Sequence, residues 1–148
     1  GDTVFSFNRK LVLDAKDNDL TMSDRVTMIR QSHGSKEIVQ MDCGRLIADF
    51  ESTGGVAVWL SGEAPQPNII AVRADRNVMV SRGERSIHAA HLIYDGPARL
   101  ITLKPDPGGR VQLIDPQQSL PVKILYWDLI KDEFRFEGPG AGRVPIRR

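Results

Sequence analysis

Apolar residues along this chain recur every second position, not every third or fourth, which is the period of half-buried strands. Leu11-Val12-Leu13 opens a strand, and Leu20 and Met22 continue on one face. Val26, Met28 and the stem of Arg30 alternate on the next strand. From Ile38 to Phe50 the pattern predicts two strand segments or one bent strand with Gly44 at the corner, because glycine inside a strand marks a bulge or a tight bend. Val56, Val58 and Leu60 face away from Ala57 and Trp59 on a further strand. Strands also follow from Ile69 to Ala74, from Asn77 to Ser81 and from Ile87 to Tyr94, with Arg82-Gly83-Glu84-Arg85 as a short hairpin loop. Arg99 to Leu103 and Arg110 to Ile114 flank Pro105-Asp106-Pro107-Gly108-Gly109, which reads as a hairpin tip. Val122 to Asp128 and Glu133 to Phe136 form a last hairpin. Polar breaks fall at Asp17-Asn18-Asp19, Ser32 to Lys36, Thr53-Gly54-Gly55, Ala64 to Asn68 and Asp115 to Ser119. Short strands between such turns predict an all-β fold: a sandwich, a jelly roll or a rolled β-solenoid.

An internal echo favours the rolled forms. Asp42-Cys43-Gly44-Arg45-Leu46-Ile47-Ala48-Asp49 lies over His88-Ala89-Ala90-His91-Leu92-Ile93-Tyr94-Asp95. Upstream of each copy, Asp24-Arg25-Val26-Thr27-Met28-Ile29-Arg30 lies over Asp75-Arg76-Asn77-Val78-Met79-Val80-Ser81-Arg82, with one residue of slip. A repeated strand–turn–strand unit explains both echoes. The repeats span about 20–62 and 69–114, with a degenerate third copy at 122–136; residues 1–136 read as one β domain and 137–148 as a Pro/Gly-rich tail or linker. A sandwich of single-copy strands is the plainer alternative.

The 148 residues suit one domain with a sizeable core. Twenty basic against 19 acidic residues leave a net charge of +1, without the basic excess of a dedicated nucleic-acid binder. Aromatic residues are 6% of the chain, too few for a base-stacking platform. No run approaches the ~18 apolar residues of a membrane helix, and no signal peptide or anchor is visible.

Candidate chemistry is thin. His88 and His91 stand three apart, so on a regular strand they point to opposite faces, and His33 lies in a separate loop. No metal-ligand spacing emerges, and no cofactor is implied. Cys43 alternates with Val39 and Met41, as a core thiol does, and has no evident base. Asp42, Asp49, Asp75, Asp95 and Asp128 recur near strand ends, where carboxylates cap turn amides. Gly138-Pro139-Gly140-Ala141-Gly142 lacks the Lys-Ser/Thr of a phosphate loop. No catalytic residue is proposed.

The remaining feature is an apolar face: Val26, Met28, Val39, Met41, Leu46, Ala48, Val78, Val80, Ile87, Ala89, Leu92 and Tyr94. These residues either fill the domain's own core or, in an open fold, receive lipid chains. An acyl chain gains ~0.8 kcal/mol per buried methylene, so useful affinity needs no polar hot spot. Arg25, Arg30, Arg45, Arg73, Arg76, Arg82 and Arg85 are candidate phosphate contacts near a groove mouth, or ordinary solvated strand residues.

The segments Asp24-Arg25-Val26, Cys43-Gly44-Arg45-Leu46-Ile47-Ala48-Asp49, Ala74-Asp75-Arg76-Asn77-Val78 and Ala90-His91-Leu92-Ile93-Tyr94-Asp95 resemble the OstA-like domain of the LptA-like and LptC-like lipopolysaccharide-transport proteins. The resemblance implies an open, V-shaped β-jelly roll in the periplasm or cell envelope. It implies a non-enzymatic carrier that binds lipopolysaccharide, or another acylated envelope lipid, by its acyl chains. It further implies that such domains stack through edge strands, with Phe134 and Phe136 as candidate assembly residues. The 105–121 insertion and the Pro/Gly-rich end depart from the pattern. The competing expectation is a structural or protein-interaction domain that assembles through its edges and carries no lipid.

Overall fold

Four long strands carry the architecture: β3 (Asp19–Gln31), β4 (Ile38–Phe50), β5 (Ile69–Arg82) and β6 (Arg85–Asp95). They pair antiparallel in sequence order. The structure is a computed structural model, and it describes residues 2–6, 10–14, 19–31, 38–51, 68–131, 133–137 and 142–145. The expected loop at 32–36, the turn at Thr53-Gly54-Gly55, the strand bearing Val56, Val58 and Leu60, and most of the break from Ala64 lie outside those residues. Eight shorter strands complete the sheet among the described residues: β1 (Asp2–Ser6), β2 (Lys10–Asp14), β7 (Leu100–Lys104), β8 (Val111–Ile114), β9 (Ser119–Val122), β10 (Ile124–Asp128), β11 (Glu133–Glu137) and β12 (Gly142–Pro145). Four residues of the segment expected to be a tail thus form β12, paired with β11.

Each long strand is bent in its middle. On β3 the residues Asp24 and Arg25 have φ of 70° and 54°, and on β5 Arg76 and Asn77 have φ of 66° and 56°. These are left-handed conformations that cost non-glycine residues energy, which Asp and Asn tolerate best. On β4 and β6 the bend is made differently. Buried positions run odd at Met41 and Cys43, then even at Leu46, Ala48 and Phe50; on β6 they run odd at Ile87, then even at Leu92. The switch falls at Gly44 and near Ala90. A Cβ on Gly44 would stand 2.6 Å from Arg76 Cβ, so the close passage of β4 over β5 requires glycine there.

The sequence echo is therefore the bend repeated. Asp24-Arg25-Val26 and Arg76-Asn77-Val78 are its left-handed pairs, and Cys43-Gly44-Arg45 and Ala89-Ala90-His91 its parity switches. This registration resolves the one-residue slip: Val26 corresponds to Val78.

The bend folds the sheet into two arms. The narrow arm holds β1, the halves of β3–β6 near Gln31, Ile38, Arg82 and Arg85, and then β8 and β9. The wide arm holds β2, the other halves, and then β7, β10, β11 and β12. The 105–109 stretch is not a hairpin tip, contrary to the sequence expectation. β7 pairs with the Asp95 end of β6 and with β10, whereas β8 pairs with the Arg85 end of β6 and with β9. Both neighbours run along the same bent strand, so the chain between them crosses the bend instead of reversing. Lys123 makes the matching crossing between β9 and β10, its amide donating to the Glu137 carbonyl at 2.7 Å.

Among the described side chains, one face of each arm is apolar and in register. On the wide arm the facing partners run Leu20–Ala48–Val72–Tyr94–Ile101–Trp127–Phe134, and one step nearer the bend Met22–Leu46–Ala74–Leu92–Leu103–Leu125–Phe136. On the narrow arm they run Met28–Met41–Val80–Ile87–Leu113–Leu120. The buried members belong to one cluster, and Leu46, Leu103 and Leu125 are all 0% exposed. Burying each such leucine contributes about 1.5–3 kcal/mol.

Candidate functional site

All twelve residues expected on the apolar face lie on the inner side of the folded sheet. Val26, Met41, Leu46, Ala48, Val78, Val80, Ile87 and Leu92 are buried; Met28, Val39, Ala89 and Tyr94 are half-buried and pack against the cluster. Leu103, Val111, Val122 and Leu125 complete the inner face. They escaped the sequence argument because they stand outside the duplicated segments 24–30/75–82 and 42–49/88–95 that marked the face. The inner faces of the arms fill one another, so the interior is a packed apolar seam.

The arms meet at their tips through an unlike pair. Arg82, at the end of β5 on the narrow arm, places its guanidinium carbon 5.7 Å from the centroid of Trp127 on the wide arm. Trp127 is itself edge-on to Phe134 at 5.4 Å, with an interplanar angle of 62°. The signal for this contact was present in the sequence: Arg82 continues the parity of Val78 and Val80, and Trp127 that of Leu125.

The seven candidate arginines separate cleanly. Arg30, Arg82 and Arg85 end inner-facing rows at the narrow arm's tip, where Arg30 is opposite Val39, Val39 opposite Arg82, and Arg82 opposite Arg85. Arg25 and Arg76 sit at the bend. Arg45 pairs in register with Asp75, which pairs with His91, and exposed Arg73 lies between Ile47 and Ile93; these positions alternate with the inner rows and face outward.

The assembly expectation for Phe134 and Phe136 is corrected. Both are buried, at 5% and 8% exposure, and β11 has β10 on one side and β12 on the other. Alternation aims both rings at Trp127 and Leu125 on the inner face. Among the described residues the strand edges are β1 and β2 at one side and β9 and β12 at the other.

A concavity of about 470 Å³ opens at the bend, lined by Asp24, Arg25, Val26, Thr27, Asp42, Cys43, Gly44, Arg76 and Asn77. Asp42 accepts from Thr27 Oγ1 at 2.7 Å and from Gln40 Nε2 at 2.9 Å, which uses both of its oxygens. Asp75 Oδ1 is buried without a hydrogen bond, and Arg76 Nε stands 4.0 Å away, beyond hydrogen-bond reach. Burial pushes the Cys43 thiol up to about 12, with the charges of Asp75 and Asp42 adding to the rise against a backbone hydrogen bond at Arg45. A thiol protonated at every physiological pH is not a nucleophile.

His88 and His91 are both exposed. The parity switch between them puts both on the outer face, whereas a regular strand would have opposed them. His91 Nε2 lies 3.1 Å from Asp106 Oδ1 on the crossing between β7 and β8. Among the described residues no group of three His, Cys, Asp or Glu side chains is placed to hold a metal ion.

This folded antiparallel sheet, bent through every long strand and open at its edges, is a β-jelly roll of the LptA-like class. The same fold is seen in the crystal structure of LptH, described as the LptA-homologous periplasmic component of the lipopolysaccharide transport device of Pseudomonas aeruginosa, with a TM-score of 0.65 over 99% of this chain and 96% of that one. At 9% sequence identity the likeness is one of fold. No protein-family model and no curated protein matches the chain. The expected all-β jelly roll is borne out.

Proposed function

We propose that this chain is a non-catalytic carrier of lipopolysaccharide, holding lipid A acyl chains between its arms as part of a periplasmic bridge to the outer membrane. The observation that carries the reading is the inner face: apolar partners in register across the strands of each arm, with no charged side chain, among the described residues, in the rows between bend and tips. The jelly roll shared with a periplasmic transport component over nearly the whole chain supports it. Acyl chains replace arm-to-arm contacts when the tips part, exchanging one apolar neighbour for another at little cost in hydrophobic burial. Other domains of this kind are the partners proposed for the open edges, by strand addition at β1, β2, β9 or β12.

The packed seam favours a second reading. With Leu46, Leu103 and Leu125 wholly buried, the domain also suits a structural module that assembles through its edges and carries nothing. Photo-crosslinking separates the two. A photoreactive amino acid at Met28, Val39, Ala89 or Tyr94, the half-buried inner positions, should form saturable adducts with purified lipopolysaccharide, and the same probe at exposed Glu84 should not. Adducts no stronger than at Glu84 would sink the carrier reading and leave the edge-assembling module, to be checked by concentration-dependent self-association.

A further inference from the structure

The rim of the narrow arm sets three arginines side by side. Arg30, Arg82 and Arg85 stand on three strand ends in one register row, interrupted only by Val39. Arg82 and Arg85 are directly opposite across the Gly83–Glu84 turn. Two guanidinium groups directly opposite on a sheet repel one another. Asp115 offsets part of that repulsion: the amides of Gln117 and Gln118, donating to Asp115 Oδ1 at 2.8 and 2.9 Å, hold this carboxyl below its usual range, and the field of Arg85 adds a smaller share. Across the seam the wide arm sets buried aromatic side chains just behind the tips, with Trp127 under Arg82 and Phe134 beside it. One lip of the mouth is therefore cationic, the other is backed by aromatic rings, and apolar rows lie behind both.

We propose that this mouth is a phosphate gate, in which Arg30, Arg82 and Arg85 receive the phosphate of an acylated lipid whose chains lie between the arms, and Arg82 leaves Trp127 to do so. The inference rests on the carrier reading and adds the orientation of the cargo, head group at the tips and chains toward the bend. Charge complementarity selects the occupant. Three guanidinium groups match phosphate oxygens in fork geometry, and the rows behind them match acyl chains. A neutral lipid would use only the rows, and free phosphate only the rim. Trp127 is buried at 3% exposure, so Arg82 exchanges a cation–π contact on a desolvated ring for charge-assisted, fork-geometry bonds to phosphate, and the seam opens at the same point.

The test compares lysophosphatidic acid with the monoacylglycerol of the same acyl chain, titrated below their micelle thresholds into the full chain carrying Trp59→Phe, so that Trp127 is the remaining indole. The phosphorylated lipid should bind at least about tenfold more tightly and should alter Trp127 emission, the preference shrinking with added salt. Arg30→Gln, Arg82→Gln and Arg85→Gln combined should abolish the preference, whatever the absolute affinity for monoacylglycerol, and an unchanged far-ultraviolet circular dichroism spectrum certifies that the variant is folded. Lysine at the same three positions should restore part of it. Equal affinity for the two lipids, or a preference that survives the triple glutamine variant, overturns the gate and leaves the carrier. Inorganic phosphate that alters Trp127 emission as strongly as the lipid also overturns it, by showing a phosphate site without a lipid. Binding of neither lipid removes the gate and the carrier together.

Discussion

Replacing Gly44 with alanine should force β4 away from β5 at the centre of the bend. The added methyl would stand 2.6 Å from Arg76 Cβ and 3.3 Å from the Arg76 carbonyl oxygen. Carbon atoms pack at ~3.5–4.0 Å, so the strands must part by about 1 Å. Arg76 Cβ is fixed to the backbone and cannot swing aside as the end of a side chain could. Overpacking of this kind costs about 1–3 kcal/mol, and alanine returns about 0.5–1 kcal/mol over glycine within a strand. The net loss is centred on about 1 kcal/mol and reaches about 2.5 kcal/mol at most, which in a chain of this size lowers Tm by about 3–8 °C. Arg76→Gly supplies the control, since it removes the clashing Cβ and relieves a non-glycine residue held at φ 66°. Its ion pair with Asp75 spans 4.0 Å with the arginine 68% exposed, so little is lost with it. The pair Gly44→Ala and Arg76→Gly should therefore recover most of the stability that Gly44→Ala loses, a coupling of about 1 kcal/mol read from urea unfolding. The account of the bend is refuted if Gly44→Ala melts with the parent chain, or if the two substitutions prove additive.

Two further outcomes follow from the same packing. Leu125→Ala, at a site 0% exposed with Leu103 and Phe136 as its cross-strand partners, should cost about 2–5 kcal/mol in urea unfolding; a loss of under about 1 kcal/mol would mean that the seam is loose. The Cys43 thiol is raised in the fold from 9.0 to about 12, so its contribution to stability is complete below pH 9 and is lost as pH climbs toward 12, because the unfolded chain releases the proton first. Parent and Cys43→Ala stabilities, compared across that range, should therefore draw together or cross as pH rises, and native Cys43 should resist alkylation at pH 8.5 until the chain is unfolded.

Most of the fold was legible from the chain alone, for a local reason. Strand identity depends on a two-residue alternation, and Leu20-x-Met22, Val39-x-Met41 and Val78-x-Val80 display it without reference to distant residues. Gly44 was legible as a corner because glycine in a strand has few other uses. The inner face was legible wherever the repeat duplicated it, and the Arg82–Arg85 hairpin was marked by Gly83, whose φ is 59°. What the chain could not disclose is which strand lies beside which. Pro105 to Gly109 has the composition of a hairpin tip, and only the pairing of β7 and β8 along two halves of one bent β6 makes it a crossing. Phe134 and Phe136 look alike at an edge or inside, and it is β12, drawn from a segment with a tail's composition, that encloses them. His88 and His91 share a face only because the bend inverts the alternation between them. Arg30 is 52 and 55 residues from Arg82 and Arg85 and joins their row only through Val39 on β4. Alternation is written residue by residue, so the sequence by itself determined strands, faces and corners; neighbourhood is the joint outcome of many weak pairings over long separations, so only the tertiary structure decided the two arms, their edges and the mouth between them.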